Sequence, residues 1–131
     1  MLFRSDRQLR QALGHDWAQR LPDFDTQAFA AASPGQVHRA RLHDGRPVAV
    51  KVQYPGVGET ITGDLANVEL LYGMFSAFAL KSLDVRAMVD ELRLRMIEEL
   101  DYRREAADQQ HFADLYRDHP FIRVPEVHHE L

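Results

Sequence analysis

The stretch Asp44-Gly45-Arg46-Pro47-Val48-Ala49-Val50-Lys51-Val52-Gln53 decides the fold. Asp-Gly is a strong hairpin signal, because both residues tolerate positive φ. Two β-type runs flank it: residues 37–42 before His43-Asp44-Gly45-Arg46 and residues 48–53 after. In the second run Val48, Val50 and Val52 share one face, and Ala49, Lys51 and Gln53 share the other. The valines can pack on a helix or a core. Lys51 then projects from the opposite face, beside the smallest side chain of the strand.

Upstream, Phe29-Ala30-Ala31-Ala32-Ser33-Pro34-Gly35-Gln36-Val37 is a run of small residues. Such residues let backbone approach a ligand closely, and Gly35 permits unusual φ. The run reads as an ordinary tight loop or as a cover for phosphates; it is neither G-x-G-x-x-G nor a Walker loop. Before it, Leu9, Leu13 and Trp17 lie four apart, predicting an amphipathic helix over residues 5–20 with Ser5 or Asp6 as N-cap. Pro22 ends that helix and Gly14 weakens it.

Downstream, Tyr54-Pro55-Gly56-Val57-Gly58 breaks the strand pattern. Ile61, Leu65, Val68, Tyr72, Phe75 and Ala79 then form a near-heptad stripe on a helix that needs a partner surface. Gly63 and Gly73 each cost about 1 kcal/mol relative to Ala, which points to close packing there. After Lys81-Ser82-Leu83, one long helix is predicted over residues 84–118, ended by Pro120. Residues 121–128 read as a short edge strand around Pro125. Helix, two or three strands, two helices and a strand make an α+β layout with a small antiparallel sheet.

Composition narrows the function classes. The 131 residues carry 16 Lys plus Arg against 20 Asp plus Glu, a net charge of -4, which argues against nucleic acid as a partner. With no cysteine, disulfides, thiolate metal sites and cysteine nucleophiles are excluded, in keeping with a reducing compartment. No apolar run approaches the roughly 18 residues that span a bilayer, and Met1-Leu2-Phe3-Arg4-Ser5-Asp6 is too polar for a signal peptide. A cytoplasmic chain is expected, with any membrane association peripheral.

Lys51 is the strongest chemical candidate. A lysine on a short strand just after a hairpin, preceded by a small-residue loop, is the arrangement that binds α/β-phosphates in kinases; the alternative is a snorkelling edge-strand lysine. An ammonium held away from water demands a carboxylate. Glu98, Asp101, Glu105 and Asp108 supply one stripe, within about 80° of a helical face. They form either a solvated face or a set in which one acid fixes Lys51. The histidines offer no metal site: His128 and His129 would point to opposite faces of a strand, and His38 and His43 lack a third ligand. Ser33 lacks the G-x-S-x-G context of a hydrolase nucleophile.

Three blocks taken together resemble the UbiB-type, aarF-domain atypical kinases. They are Ala30-Ala31-Ala32-Ser33-x-Gly35-Gln36-Val37-His38, then Asp44-Gly45-Arg46-x-Val48-Ala49-Val50-Lys51-Val52-Gln53-Tyr54-Pro55-Gly56-Val57, then Glu99-Leu100-Asp101-Tyr102-Arg103-Arg104-Glu105-Ala106. The resemblance runs from about Asp23 to the C-terminus. It implies a protein-kinase-like N-lobe over residues 23–131, with a long αC-type helix, an extra family helix, and residues 1–22 as a helix preceding the lobe.

By the same resemblance, Lys51 is the phosphate-binding lysine and Glu105 its ion-pair partner, the expected catalytic pair. Ala31, Ala32, Ser33, Gly35, Gln36, Val37, Ala49 and Lys51 would hold ATP, with Val37 and Ala49 lining the adenine pocket. Glu99 and Asp101 match the family's Glu-x-Asp motif, which helps to occlude the usual protein-substrate site. In a continuous helix Glu99 lies about 120° around from Glu105, so both reach one cation only across a break or kink. ATP is the implied cofactor, with no metal ligand in this chain and Mg²⁺ expected only alongside a C-lobe. The implied partners are a C-lobe or a protein of ubiquinone-type quinone-lipid synthesis at a membrane.

Three departures qualify the resemblance. Pro34 stands where the family usually has an aliphatic residue and supplies no N–H. No Lys-x-Gly-Gln motif is present, and nothing after Leu131 supplies catalytic-loop or Asp-Phe-Gly residues. The chain is therefore expected to be a truncated lobe, inactive alone, with a non-catalytic partner-binding module as the alternative.

Overall fold

The Asp44-Gly45 turn joins two paired strands, as its chemistry requires. The computed structural model describes residues 5–32, 34–76 and 84–131. Strands β1 (Ala30–Ala32), β2 (Gly35–Arg41) and β3 (Pro47–Gln53) form an antiparallel sheet in that order. Gly45 takes φ 86°. The Asp44 carboxylate accepts from the Arg46 amide at 3.0 Å and from its Nε at 2.7 Å, which closes the turn and holds the Asp44 carboxyl below its ordinary range.

β1 completes the sheet against propensity, since alanine is a poor strand former. Its register (Ala30 with Val37, Ala32 with Gly35) is fixed by the neighbour. Bonds from the Phe29 amide to the Val37 carbonyl and from the Asp25 amide to the Arg39 carbonyl extend the pairing upstream. The small-residue stretch is thus a hairpin of strands rather than a free loop, and Ser33 lies outside the described residues.

The valine face is the core face, as the alternation requires. Val52 is buried with Leu9 and Trp17, and Leu21 with Ala40 and Leu42; Val48, Val50 and Phe24 pack around them. The N-terminal helix covering this face is two helices, α1 (Asp6–Leu13) and α2 (Trp17–Arg20). The break falls at Gly14, whose φ of 96° ends α1 instead of merely weakening one long helix.

Ser5 stands at the N-cap but makes no capping bond with its side chain. Its hydroxyl shares a 3.2 Å hydrogen bond with His38 Nε2 instead. His38 is fully buried on β2, its Nδ1 donating to the Asp25 carbonyl at 2.9 Å and its ring stacked on Phe24. It pins the N-terminal helices to the sheet. Asp6, also buried, accepts from Trp17 Nε1 at 3.2 Å and from Arg10 Nε at 2.6 Å.

Two helices follow, α3 (Val57–Ser76) and α4 (Val85–Leu100). They run antiparallel: a Cβ on Gly58 would sit 3.5 Å from Leu100 Cδ1, and Arg93 pairs with Glu69 at 3.2 Å midway along. The predicted α3 stripe is only partly covered. Leu65 is buried and Val68 is exposed, while Ala79 lies outside the described residues. Among the described residues nothing lies within 4 Å of where a Cβ on Gly63 would stand, so the close packing expected there is not found among them.

The single helix expected over residues 84–118 is also two, α4 and α5 (Tyr102–Leu115), divided at Asp101. The edge strand expected over residues 121–128 does not form; these residues are irregular. β-type residues make a strand only where a neighbour's N–H and C=O groups meet them, and no described strand reaches this segment. The argument that His128 and His129 face opposite ways along a strand lapses with it; His128 Nδ1 instead lies 3.3 Å from Glu130. Among the described residues, no group of three His, Asp or Glu side chains converges as a metal site.

Candidate nucleotide site

The register of β2 with β3 sorts the candidate residues between the two faces of the sheet. Val37 opposes Lys51 and Gly35 opposes Gln53, so these share a face with Ala49, Ala30 and Ala32. Gln36 opposes Val52 and Ala31 opposes Gln36, which places the side chains of Ala31 and Gln36 on the other face. Their backbone is what remains for a ligand on the Lys51 face.

Gly35 has to be glycine. A Cβ there would collide with the Val52 carbonyl oxygen and meet the Tyr102 hydroxyl at 2.7 Å. The hairpin therefore lies directly against β3 and the start of α5. Pro34, which offers no N–H, still accepts a 3.0 Å bond from the Tyr54 amide and continues the β2–β3 pairing.

Lys51 Nζ donates to both carboxylate oxygens of Glu105, at 2.8 and 2.7 Å. The pair is partly solvated, with side chains 28% and 51% exposed. Such a pair contributes only ~0–1 kcal/mol once the side-chain entropy it costs is counted. The ammonium has a second contact. It is the Tyr102 ring, whose centroid lies 4.6 Å from Nζ.

The break at Asp101 builds the rest. The Asp101 side chain accepts from the amides of Arg103 (3.1 Å) and Arg104 (3.2 Å), the cap that starts α5. Gln53 Nε2 donates to the Leu100 carbonyl at 2.6 Å, tying the end of α4 to the end of β3. Arg104 turns back across the break to Glu98 at 2.6 Å. A continuous helix could not aim Glu99 and Glu105 at one cation; with the break, Glu98, Glu99, Glu105 and Asp108 line one cleft of about 360 Å³ with Lys51 and Arg104.

The acidic stripe is thereby resolved into separate duties. Glu105 holds Lys51, Glu98 holds Arg104, and Asp101 caps a helix. Sequence reasoning passed over Tyr102, Gln53 and Arg104. Tyr102 comes to the first turn of α5, three residues before Glu105, only because Asp101 starts that helix, which an unbroken helix over residues 84–118 hides. Burial pushes the Tyr102 phenol up, and the neighbouring Glu105 carboxylate and Tyr54 push it further.

Residues 4–131 match the model of the ABC1 atypical kinase-like domain. The chain belongs to this family. It is 44% identical over 125 residues to the mitochondrial atypical kinase coq-8 of Caenorhabditis elegans, covering 95% of this chain and 16% of that protein. To the mitochondrial atypical kinase COQ8B of Rattus norvegicus it is 45% identical over 123 residues, covering 94% and 23%. To COQ8 of Saccharomyces cerevisiae it is 38% identical over 122 residues, covering 93% and 24%.

Among solved structures it resembles Rv3197 of Mycobacterium tuberculosis, determined with erythromycin, at 43% identity and a TM-score of 0.75. That match covers 92% of this chain and 31% of the other. The α+β, kinase-like fold expected from the three sequence blocks is therefore shown. The chain spans less than a quarter of the length of these curated relatives. No helix among the described residues is long and apolar enough to cross a membrane.

Proposed function

We propose that this chain is the nucleotide-binding lobe of an ABC1-type atypical kinase or ATPase. The observation that carries the reading is the two-oxygen clamp of Glu105 on Lys51, on the sheet face that also presents Gly35, Val37 and Ala49. The residues fit a nucleotide. A partly exposed ammonium suits α/β-phosphates, and a small side chain at Ala49 leaves room for a flat base. The short Ala30–Ala32 strand and Gly35 let backbone come close. Ala31, Ala32 and Gln36 would act through the main chain of the hairpin.

Bound ATP would supply the transferable phosphoryl group. Lys51 would orient its α/β-phosphates, Glu105 would keep Lys51 extended, and Asp101 would fix the helix that carries Glu105. Glu99, on the far side of the break, would line the approach to the cleft, in keeping with a role in limiting substrate access. Residues 23–131 form the lobe in this reading, with residues 1–22 as the helical cover of its core face. No Mg²⁺ ligand or catalytic base is assigned among these 131 residues. The family resemblance adds a role in quinone-lipid synthesis, at or near a membrane surface.

The test is titration of the purified chain with a fluorescent ATP analogue. Weak, saturable binding is expected, with no ATP turnover. Lys51→Ala should weaken binding about tenfold or more, the worth of a lost charge-assisted hydrogen bond. Equal binding by wild type and Lys51→Ala overturns the nucleotide reading. ATP hydrolysis that Lys51→Ala abolishes overturns the need for further residues.

A second reading, a non-catalytic partner-binding module, is favoured by the exposed apolar side chains of α3, among them Leu70, Leu71 and Met74. Its partner would be a C-lobe or a quinone-synthesis protein. Light scattering separates the readings: a docking module left with bare apolar helices self-associates, and a strict monomer that captures no partner counts against it.

A further inference from the structure

Tyr102 touches three parts of the site at once. It is the first residue of α5, directly after the Asp101 cap and three residues before Glu105. The face of its ring lies under the Lys51 ammonium, 4.6 Å from centroid to Nζ. Its hydroxyl reaches to within 2.7 Å of where a Cβ on Gly35 would stand, so the same ring also supports the alanine-rich hairpin. That hydroxyl is buried and makes no hydrogen bond among the described residues.

A buried hydroxyl without a partner costs free energy and gives no directional hold. What the site gains from this residue is its ring. We infer that Tyr102 is a positioning residue whose ring face holds Lys51 within reach of Glu105 while its hydroxyl end packs against Gly35 of the hairpin. The consequence for nucleotide binding rests on the function proposed above; the consequence for Lys51 does not.

Lysine carries its charge on a flexible four-carbon stem, and its pair with Glu105 is open to solvent. A fixed aromatic face removes alternative rotamers and attracts the cation through the ring quadrupole. The pH at which the phenol ionises is raised by its burial and then by Glu105, so the ring stays neutral over the working range. Substitution by phenylalanine keeps the ring face and removes only the unpartnered hydroxyl. Substitution by leucine keeps bulk and removes the π face.

The experiment compares Tyr102→Phe and Tyr102→Leu in the full 131-residue chain, with Tyr102→Met replacing the leucine variant if that one loses its dispersed amide spectrum. Two readouts are used. In carbon-edited NMR, wild type and Tyr102→Phe should show upfield-shifted Lys51 ε-CH₂ protons and a cross-relaxation peak between them and the Glu105 γ-CH₂. The leucine or methionine variant should lose both. With the fluorescent ATP analogue, Tyr102→Phe should bind within about twofold of wild type and the non-aromatic variant about fivefold more weakly, equivalent to ~1 kcal/mol.

The inference is overturned if the non-aromatic variant keeps the Lys51–Glu105 peak, or if Tyr102→Phe loses it. Failure of the nucleotide reading shows separately, as equal analogue binding by wild type and Lys51→Ala. In that case the NMR comparison still decides the role of Tyr102.

Discussion

The sheet with its covering helices and the α3–α4 hairpin solve the same problem with unequal success. On the sheet, each apolar position of the β3 alternation meets a partner: Val52 meets Leu9 and Trp17, while Val48 and Val50 pack beside Ala40 and Leu42. In the helical pair, Leu65 and Val89 are the buried apolar residues among the described side chains, while Leu70, Met74, Met88 and Leu94 stand at least 60% exposed. A two-stranded helical arrangement buries only the seam where its members touch. A sheet face covered by helices buries a layer. Local stability should therefore be concentrated in the sheet half, and the site hangs from that half through Lys51, Gln53 and Gly35.

The largest expected effect lies at Trp17. Its ring meets Phe24 edge-on at 5.1 Å, and its indole N–H donates to buried Asp6. Truncation removes a large buried aromatic and leaves Asp6 with one donor fewer. Trp17→Ala should lower the unfolding free energy by about 3–5 kcal/mol, read from urea denaturation followed by circular dichroism. A loss below about 1 kcal/mol, the size of a typical mutation, would break the comparison, because the sheet half would then be no better packed than the helical pair.

A smaller effect is expected at the join. Asp101 caps α5 with two amide bonds and makes the break that turns Glu105 toward Lys51. Asp101→Ala should cost about 1 kcal/mol and Asp101→Asn much less, since asparagine caps as well. The loss should come with fraying of α5, seen as faster amide hydrogen exchange from Arg103 to Glu105. An alanine variant with unchanged exchange would show that the join is held by Gln53 and Arg104 instead.

The join is also where the sequence was hardest to read. The alternation of Val48, Val50 and Val52 and the Asp-Gly turn each have a single short-range cause, so the β2–β3 hairpin and the outward Lys51 were legible from a few residues. The division at Asp101 was not. Apolar spacing continues on both sides of it, and no proline or glycine marks it. The one trace was a contradiction, because Glu99 and Glu105 could not serve one cation from an unbroken helix.

Two other features depended on neighbours rather than on local chemistry. Ala30–Ala32 becomes a strand only because β2 lies alongside, and residues 121–128 fail to become one for want of such a neighbour. For His38 the sequence offers only the lack of a third ligand for a metal. Its burial follows from Ser5, Phe24 and the Asp25 carbonyl, which the fold brings from elsewhere in the chain.

The smallest effect sharpens the comparison from its other side. Leu71 on α3 is 53% exposed, and a leucine so exposed has little apolar contact to lose. Leu71→Gln keeps a good helix former of similar length, so neither propensity nor the α3–α4 seam is disturbed. The change in unfolding free energy should stay within about 0.5 kcal/mol, as for ordinary surface positions. Urea denaturation of this variant beside Trp17→Ala measures both halves on one scale. A loss approaching that of Trp17→Ala would mean that Leu71 is covered in solution, and the helical pair would then count as part of the core. An unchanged midpoint, together with higher solubility, would leave the apolar face of α3 as surface that the sheet half does not need in order to fold.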